Sequence, residues 1–173
     1  IAFALPMIDA LEELLRKIRP YEKTAGSAAT AFERALDQVI DGLTHSGVTG
    51  AKKGFKKAIE IMNQVDYDRS NPKPQVLIVG EYLLNFHPGA NHEVERYLEQ
   101  NGFEIIEAKM TDVIRKTYFY QGSQIKEYHL KKPLNKKAWF AIVDRVFNMA
   151  HNMTDSIASA HPLYEPACRM QDL

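Results

Sequence analysis

Apolar residues recur at helical spacing through the first third of the chain, and the period then changes. Ile8, Leu11, Leu14, Leu15 and Ile18 share one face. That spacing predicts an amphipathic helix over residues 8–18, ended near Arg19 because Pro20 disfavours the helical conformation in the residue before it. Thr30-Ala31-Phe32-Glu33 fits a capping box, and Phe32, Leu36, Val39, Ile40 and Leu43 follow, which predicts a second helix to about His45. Gly47 and Gly50 punctuate a turn, after which Phe55, Ala58, Ile59 and Met62 mark a third helix. Its other face carries Lys52, Lys53, Lys56 and Lys57. Four such lysines can be read as an anion patch, but a solvated helix face is the commoner origin of the pattern.

Residues 66–74, DYDRSNPKP, are polar and broken by proline, so they read as a linker into a second section. There, residues 75–79 form a short continuous apolar run of the kind buried on both faces of a parallel sheet. Residues 91–100 are helical in pattern with Val94, Tyr97 and Leu98 inward, Asn101-Gly102 supplies the stop, and residues 103–108 read as a second strand. Strand, helix, strand is a βαβ unit, whose crossover is expected to be right-handed. Residues 117–130 suit either a hairpin around Gln121-Gly122-Ser123 or a loop packed by its tyrosines. Asn135 can cap a long final helix with Trp139, Val143, Val146, Phe147 and Ala150 facing the core, and His161-Pro162 closes the segment after Thr154. The expected fold is one α/β domain over 1–173. Residues 1–66 would form a helical section, and 74–173 an α/β section with a small parallel sheet, a Rossmann-like βαβ unit and a long C-terminal helix.

A chain of 173 residues, 45% of them hydrophobic, suits a single core. Its 22 basic side chains are matched by 22 acidic ones, so nothing in the balance suggests nucleic acid or a membrane surface as partner. No apolar run approaches the roughly 20 residues that span a bilayer. The opening IAFALPMIDA lacks the basic flank of a secretory signal, which leaves the cytoplasm as the expected compartment. Cys168 is the sole cysteine, which excludes an internal disulfide and any all-cysteine cluster built from this chain alone. It can be a buried small hydrophobe, a surface thiol, or a ligand completed from elsewhere. The first residue is Ile1, and the sequence reads as a piece of a longer polypeptide.

The stretch VLIVGEYLLNFHPGAN, residues 76–91, stands where nucleotide-binding proteins place a glycine-rich phosphate cradle. Neither the G-x-G-x-x-G fingerprint nor the glycine-lysine-serine/threonine of a P-loop is present. Position still matters, because ligands of open α/β sheets sit beyond the carboxyl ends of the strands, where Glu81, Asn85, His87 and Asn91 would lie. Each has a structural alternative: Asn91 as a helix cap, His87 in a turn before Pro88, Glu81 as an acceptor for nearby backbone N–H groups. The six histidines show no metal-ligand spacing, and no G-x-S-x-G elbow exists for a serine nucleophile.

Two stretches carry a resemblance when taken together: residues 9–22, DALEELLRKIRPYE, and residues 74–108, PQVLIVGEYLLNFHPGANHEVERYLEQNGFEIIEA. The combination resembles the large activators of 2-hydroxyacyl-CoA dehydratases, the CoA-substrate-specific enzyme activases, in their dehydratase-like region. Its most specific parts are Arg19-Pro20-Tyr21-Glu22 and the Gly80-Glu81 turn leading to Pro88 and Asn91. The resemblance implies a parent protein that couples ATP hydrolysis to electron transfer through a [4Fe-4S] cluster and acts on an acyl-CoA dehydratase. It implies that the loop from Glu81 to Asn91 borders the cleft for substrate or cluster. The chain departs from the full pattern: it has neither the phosphate motifs of the ATPase domain nor the cysteines of a cluster.

Three functions stand as expectations. The first is a non-catalytic dehydratase-like domain that organises electron transfer or docks the dehydratase. The others are a small-ligand or nucleotide-binding module and a helical interaction domain. A sheet of few strands leaves open edges, and with them a tendency to form a homodimer.

Overall fold

The computed structural model describes residues 2–81, 83, 87, 89–114 and 134–166, apart from the side chains of residues 134–137 and 140. The expected hairpin over 117–130 and Cys168 lie outside the described residues.

The helical section is built as its spacing predicts, with a shifted face. Helix α1, Ala4–Ile18, buries Met7, Leu11, Leu14 and Ile18 completely. Each such side chain contributes about 1.5–3 kcal/mol relative to an exposed one. A 3-10 turn, Arg19–Tyr21, leads out of it. Helix α2, Ser27–Met62, is broken at Ser46 and at Gly47, whose φ of 57° and ψ of −141° suit glycine. The two predicted helices are its halves, folded back on each other. A methyl group at Gly42 would meet the Gly50 carbonyl, one at Gly50 the Gly42 carbonyl, and one at Gly54 the Gln38 carbonyl. Gly50 is therefore a close-approach residue inside a helix, and of the two glycines only Gly47 belongs to the turn.

The core stripe of the first half of α2 is Ala28, Ala31, Ala35 and Val39, while Phe32 and Leu43 are half-buried and Ile40 is exposed. Small residues win that face because they let α1 approach closely. The second half buries Phe55, Ala58, Ile59 and Met62 as predicted, and the four lysines lie in solvent. Helix α2 also starts three residues before Thr30. Gly26 takes a left-handed φ of 82°, and the Glu22 carboxylate accepts from the N–H groups of Gly26 and Ala28, both at 2.7 Å. The cap is thus Glu22 and not the predicted Thr30–Glu33 box; the Thr30 hydroxyl donates back to the Gly26 carbonyl at 3.0 Å.

Strands β1, Gln75–Ile78, and β2, Glu104–Glu107, pair in parallel with Gln75 opposite Glu104 and Ile78 opposite Glu107. Helix α3, Val94–Gln100, connects them, ended by Asn101 and by Gly102 at a φ of 89°. The run 75–79 is not buried on both faces. Ile105 is buried, but Leu77 and Val79 are 59% and 74% exposed and Ile106 is 41% exposed. Two strands and one short crossover helix give too little structure, among the described residues, to cover the second face. Tyr97 of α3 likewise points to solvent.

Helix α4, Leu134–Ala158, packs on α1 and α2 through Ala150, Thr154 and Ala158, with His161 buried just beyond its end. Trp139, expected in the core, is 60% exposed. The whole is a mixed, helix-rich fold with a two-stranded parallel sheet. Among the described residues no helix is long and apolar enough to cross a membrane.

Candidate functional site

The two sections meet along a polar seam, and the Arg19-Pro20-Tyr21-Glu22 stretch is its joint. Arg19, leaving α1, donates from Nε and Nη2 to the two Glu99 carboxylate oxygens at 2.6 and 2.8 Å, and from Nη2 to Glu95 at 3.3 Å. Burial alone would lower the Arg19 pKa, but the hydrogen bonds and charges of Glu99 and Glu95 outweigh it and hold it above its ordinary value. The Tyr21 hydroxyl donates to Glu104 at 2.7 Å and accepts from the Lys73 backbone N–H at 2.9 Å. The Arg69 guanidinium lies 4.3 Å over the Tyr21 ring while donating to Glu104 at 2.7 Å. Lys73 Nζ donates to the Pro20 carbonyl at 2.5 Å. The expected linker is therefore bound along its length: Lys23 N–H donates to Asp66 and Asp68 N–H to Tyr21, at 3.0 and 2.9 Å.

Above this joint, Arg16 is shared by Glu12 at 3.6 Å, Glu95 at 3.4 Å and Glu107. The Glu107 side chain is 1% exposed. Burial raises its carboxyl to about 7; the Arg16 charge opposes that shift, and Glu95 and Glu12 add to it. Burial also raises Glu12. Asp9, buried on α1, accepts from Thr111 and Met110 N–H groups at 2.8 and 3.2 Å and from the Thr111 hydroxyl, so it tethers the helical residues 110–114 after β2. Burial raises Asp9 against those hydrogen bonds.

A cleft of about 470 Å³ opens beside the seam, lined by Phe32, Met110, Arg16, Arg19, Glu95, Glu107 and Asn91 among others. Of the sequence-predicted site residues that are described, only Asn91 reaches it. Its Oδ1 is buried without a hydrogen-bond partner. It does not cap a helix: α3 begins at Val94 behind His92 and Glu93, both at positive φ, with no side-chain cap. Glu93 and Glu95 at that helix start place negative charge where an anion would have to sit, which opposes the anion-receiving role. Glu81 is exposed, and so is His87, whose Nδ1 takes the Ala90 N–H at 3.2 Å within its own turn. Asn85 lies outside the described residues.

Arg16, Glu95, Glu99 and Glu107 were not singled out by sequence, and Arg19 only as part of the Arg19-Pro20-Tyr21-Glu22 stretch. Their signal was present as arginines three apart at the end of α1 and in the turn that follows it, and glutamates four apart on α3. Among the described residues no group of three histidines, cysteines, aspartates or glutamates could hold a metal ion. They contain no thiol to hold a [4Fe-4S] cluster. The arrangement can bind, orient and hold a proton, and it joins two sections. Compared with protein-family models, with curated proteins and with solved structures, the chain matches none.

Proposed function

We propose that this chain is a dehydratase-like module of a 2-hydroxyacyl-CoA dehydratase activator, with a Rossmann-like βαβ element, a docking role and no complete active site of its own. The observation that carries this reading is the joint itself. The two stretches that bear the resemblance, distant in sequence, are bonded to each other through Arg19–Glu99 and Tyr21–Glu104. A stretch that makes those bonds is architectural, which suits a scaffold better than a catalyst. On this reading ATP hydrolysis and any [4Fe-4S] cluster belong to other domains of the parent chain, in the cytoplasm. The partner is an acyl-CoA dehydratase.

Calorimetric titration of the chain with a purified 2-hydroxyacyl-CoA dehydratase tests it. Saturable binding that survives removal of ATP is expected; absence of any heat or co-elution contradicts the docking role.

A second reading, a small-ligand module, is favoured by the buried, unpaired Asn91 Oδ1 in the cleft. Glu93 and Glu95 beside it disfavour a nucleotide and favour a ligand that brings a hydrogen-bond donor or a positive charge. Under this reading Asn91→Ala weakens ligand binding while leaving the unfolding midpoint near that of the parent.

A further inference from the structure

We propose that the Arg16–Glu107–Glu95 contact is a proton-operated clasp. The β1–α3–β2 unit sits tightly on α1 while Glu107 carries a proton, and it loosens when that proton leaves.

The geometry is an excess of carboxylates in a closed seam. Two guanidinium groups, Arg16 and Arg19, serve four carboxylates, Glu12, Glu95, Glu99 and Glu107. The clefts beside Glu107 bring further charges from each packed element. Asp9, Glu12, Glu13, Arg16 and Lys17 come from α1, Arg19 from the turn after it, and Glu93, Glu95 and Arg96 from α3 and its start. Glu104, Lys109 and Asp112 come from β2 and the segment after it, Arg69 from the crossing segment, and Glu165 from beyond α4. Lys109 is drawn to Glu13, and Arg69 to Glu104, so neither relieves Glu107. Glu95 and Glu107 converge on the one Arg16 guanidinium, both Glu107 carboxylate oxygens are buried without a hydrogen-bond partner, and a proton on Glu107 removes the repulsion between the two. The two groups lie on different elements of the docked unit, and their shared cation lies on α1. The charge state of the pair therefore acts on the docking contact itself.

The sign comes from linkage. Glu107 is raised from an ordinary 4.5 to about 7 when docked. Between those values the docked form holds more protons than the undocked one, so docking is strongest below the ordinary value, weakens as pH rises, and reaches its low plateau above about 7.

Hydrogen exchange of the amides in β2 and α3, corrected for intrinsic rates and referenced to the α1–α2 core, tests the clasp. Relative to that core, protection of β2 and α3 in the parent chain should fall on the order of tenfold between about pH 5.5 and about pH 7.5. Glu107→Gln, a neutral mimic of the protonated carboxyl, should hold the acid-limb protection throughout. A pH-independent parent, or a Glu107→Gln variant with the same fall, overturns the proposal. Should that variant fail to fold, the Glu107 carboxyl followed by carbon NMR in the parent decides: a midpoint near 7 supports the clasp, and one in the ordinary glutamate range overturns it.

Discussion

The Tyr21 hydroxyl donates a 2.7 Å hydrogen bond to Glu104 while accepting one of 2.9 Å from the Lys73 backbone, so one phenol ties the end of α1 to both β2 and the crossing segment. Burial raises its pKa, and the Glu104 carboxylate helps keep it protonated. Tyr21→Phe keeps the ring under Arg69 but strands the Lys73 N–H. A loss of about 1–3 kcal/mol is expected in urea unfolding, with the denaturant slope unchanged. A loss below the error of that experiment would remove the joint from the account.

Glu22, not Thr30, starts α2. Glu22→Ala should cost about 1 kcal/mol and strip exchange protection from amides 26–30, while Thr30→Ala should be near neutral. The reverse ranking would restore the capping box that the local sequence suggests.

The halves of α2 touch backbone to backbone at Gly54 and Gln38. Gly54→Ala has no flexible side chain to push aside, so a loss of about 3 kcal/mol or more is expected by thermal unfolding. Lys53→Ala, on the solvated face next to it, should stay within about 0.5 kcal/mol of the parent.

His161 is buried beyond α4, stacked on Tyr67 at 6.4 Å between ring centroids, and its Nδ1 accepts the Leu163 N–H at 3.2 Å. Burial lowers its pKa below the ordinary 6.5 against the pull of the Met62 carbonyl. The folded chain therefore holds fewer protons than the unfolded one just below that value. Its contribution is full above about 6.5 and is lost as pH falls. Unfolding measured from neutral towards acid pH should lose stability on this limb, and His161→Gln should flatten it.

Leu77 and Ile106 lie side by side on the open face of a two-stranded sheet. Exposed apolar strands invite pairing with another copy. Light scattering should show mass rising with concentration, and Leu77→Lys should suppress the rise; a monomer at every concentration contradicts the expected homodimer.

Elements with strong periodicity were legible from sequence. The faces of α1 and of the second half of α2 carry large side chains that fix which side is buried. The first half of α2 misled because Phe32 and Leu36 outweigh alanines in any hydropathy pattern, whereas packing against α1 selects the small residues. The start of α2 was hidden because its cap comes from Glu22, outside the local box. The short apolar run at β1 reads the same whether one face or two are covered, so Leu77 and Val79 could not be placed. Of the loop residues, Asn91 reached the cleft. The seam went unread because Arg16 and Glu107 become neighbours only through β2 packing on α1.

The most direct test of the functional account is anaerobic iron and acid-labile sulfide analysis, with visible absorption, on this chain and on the parent polypeptide that the proposed function implies, after cluster reconstitution. The account predicts no cluster in this chain and a stoichiometric [4Fe-4S] cluster in the parent polypeptide. A folded parent polypeptide with no cluster would contradict the activator reading and leave the small-ligand module in its place.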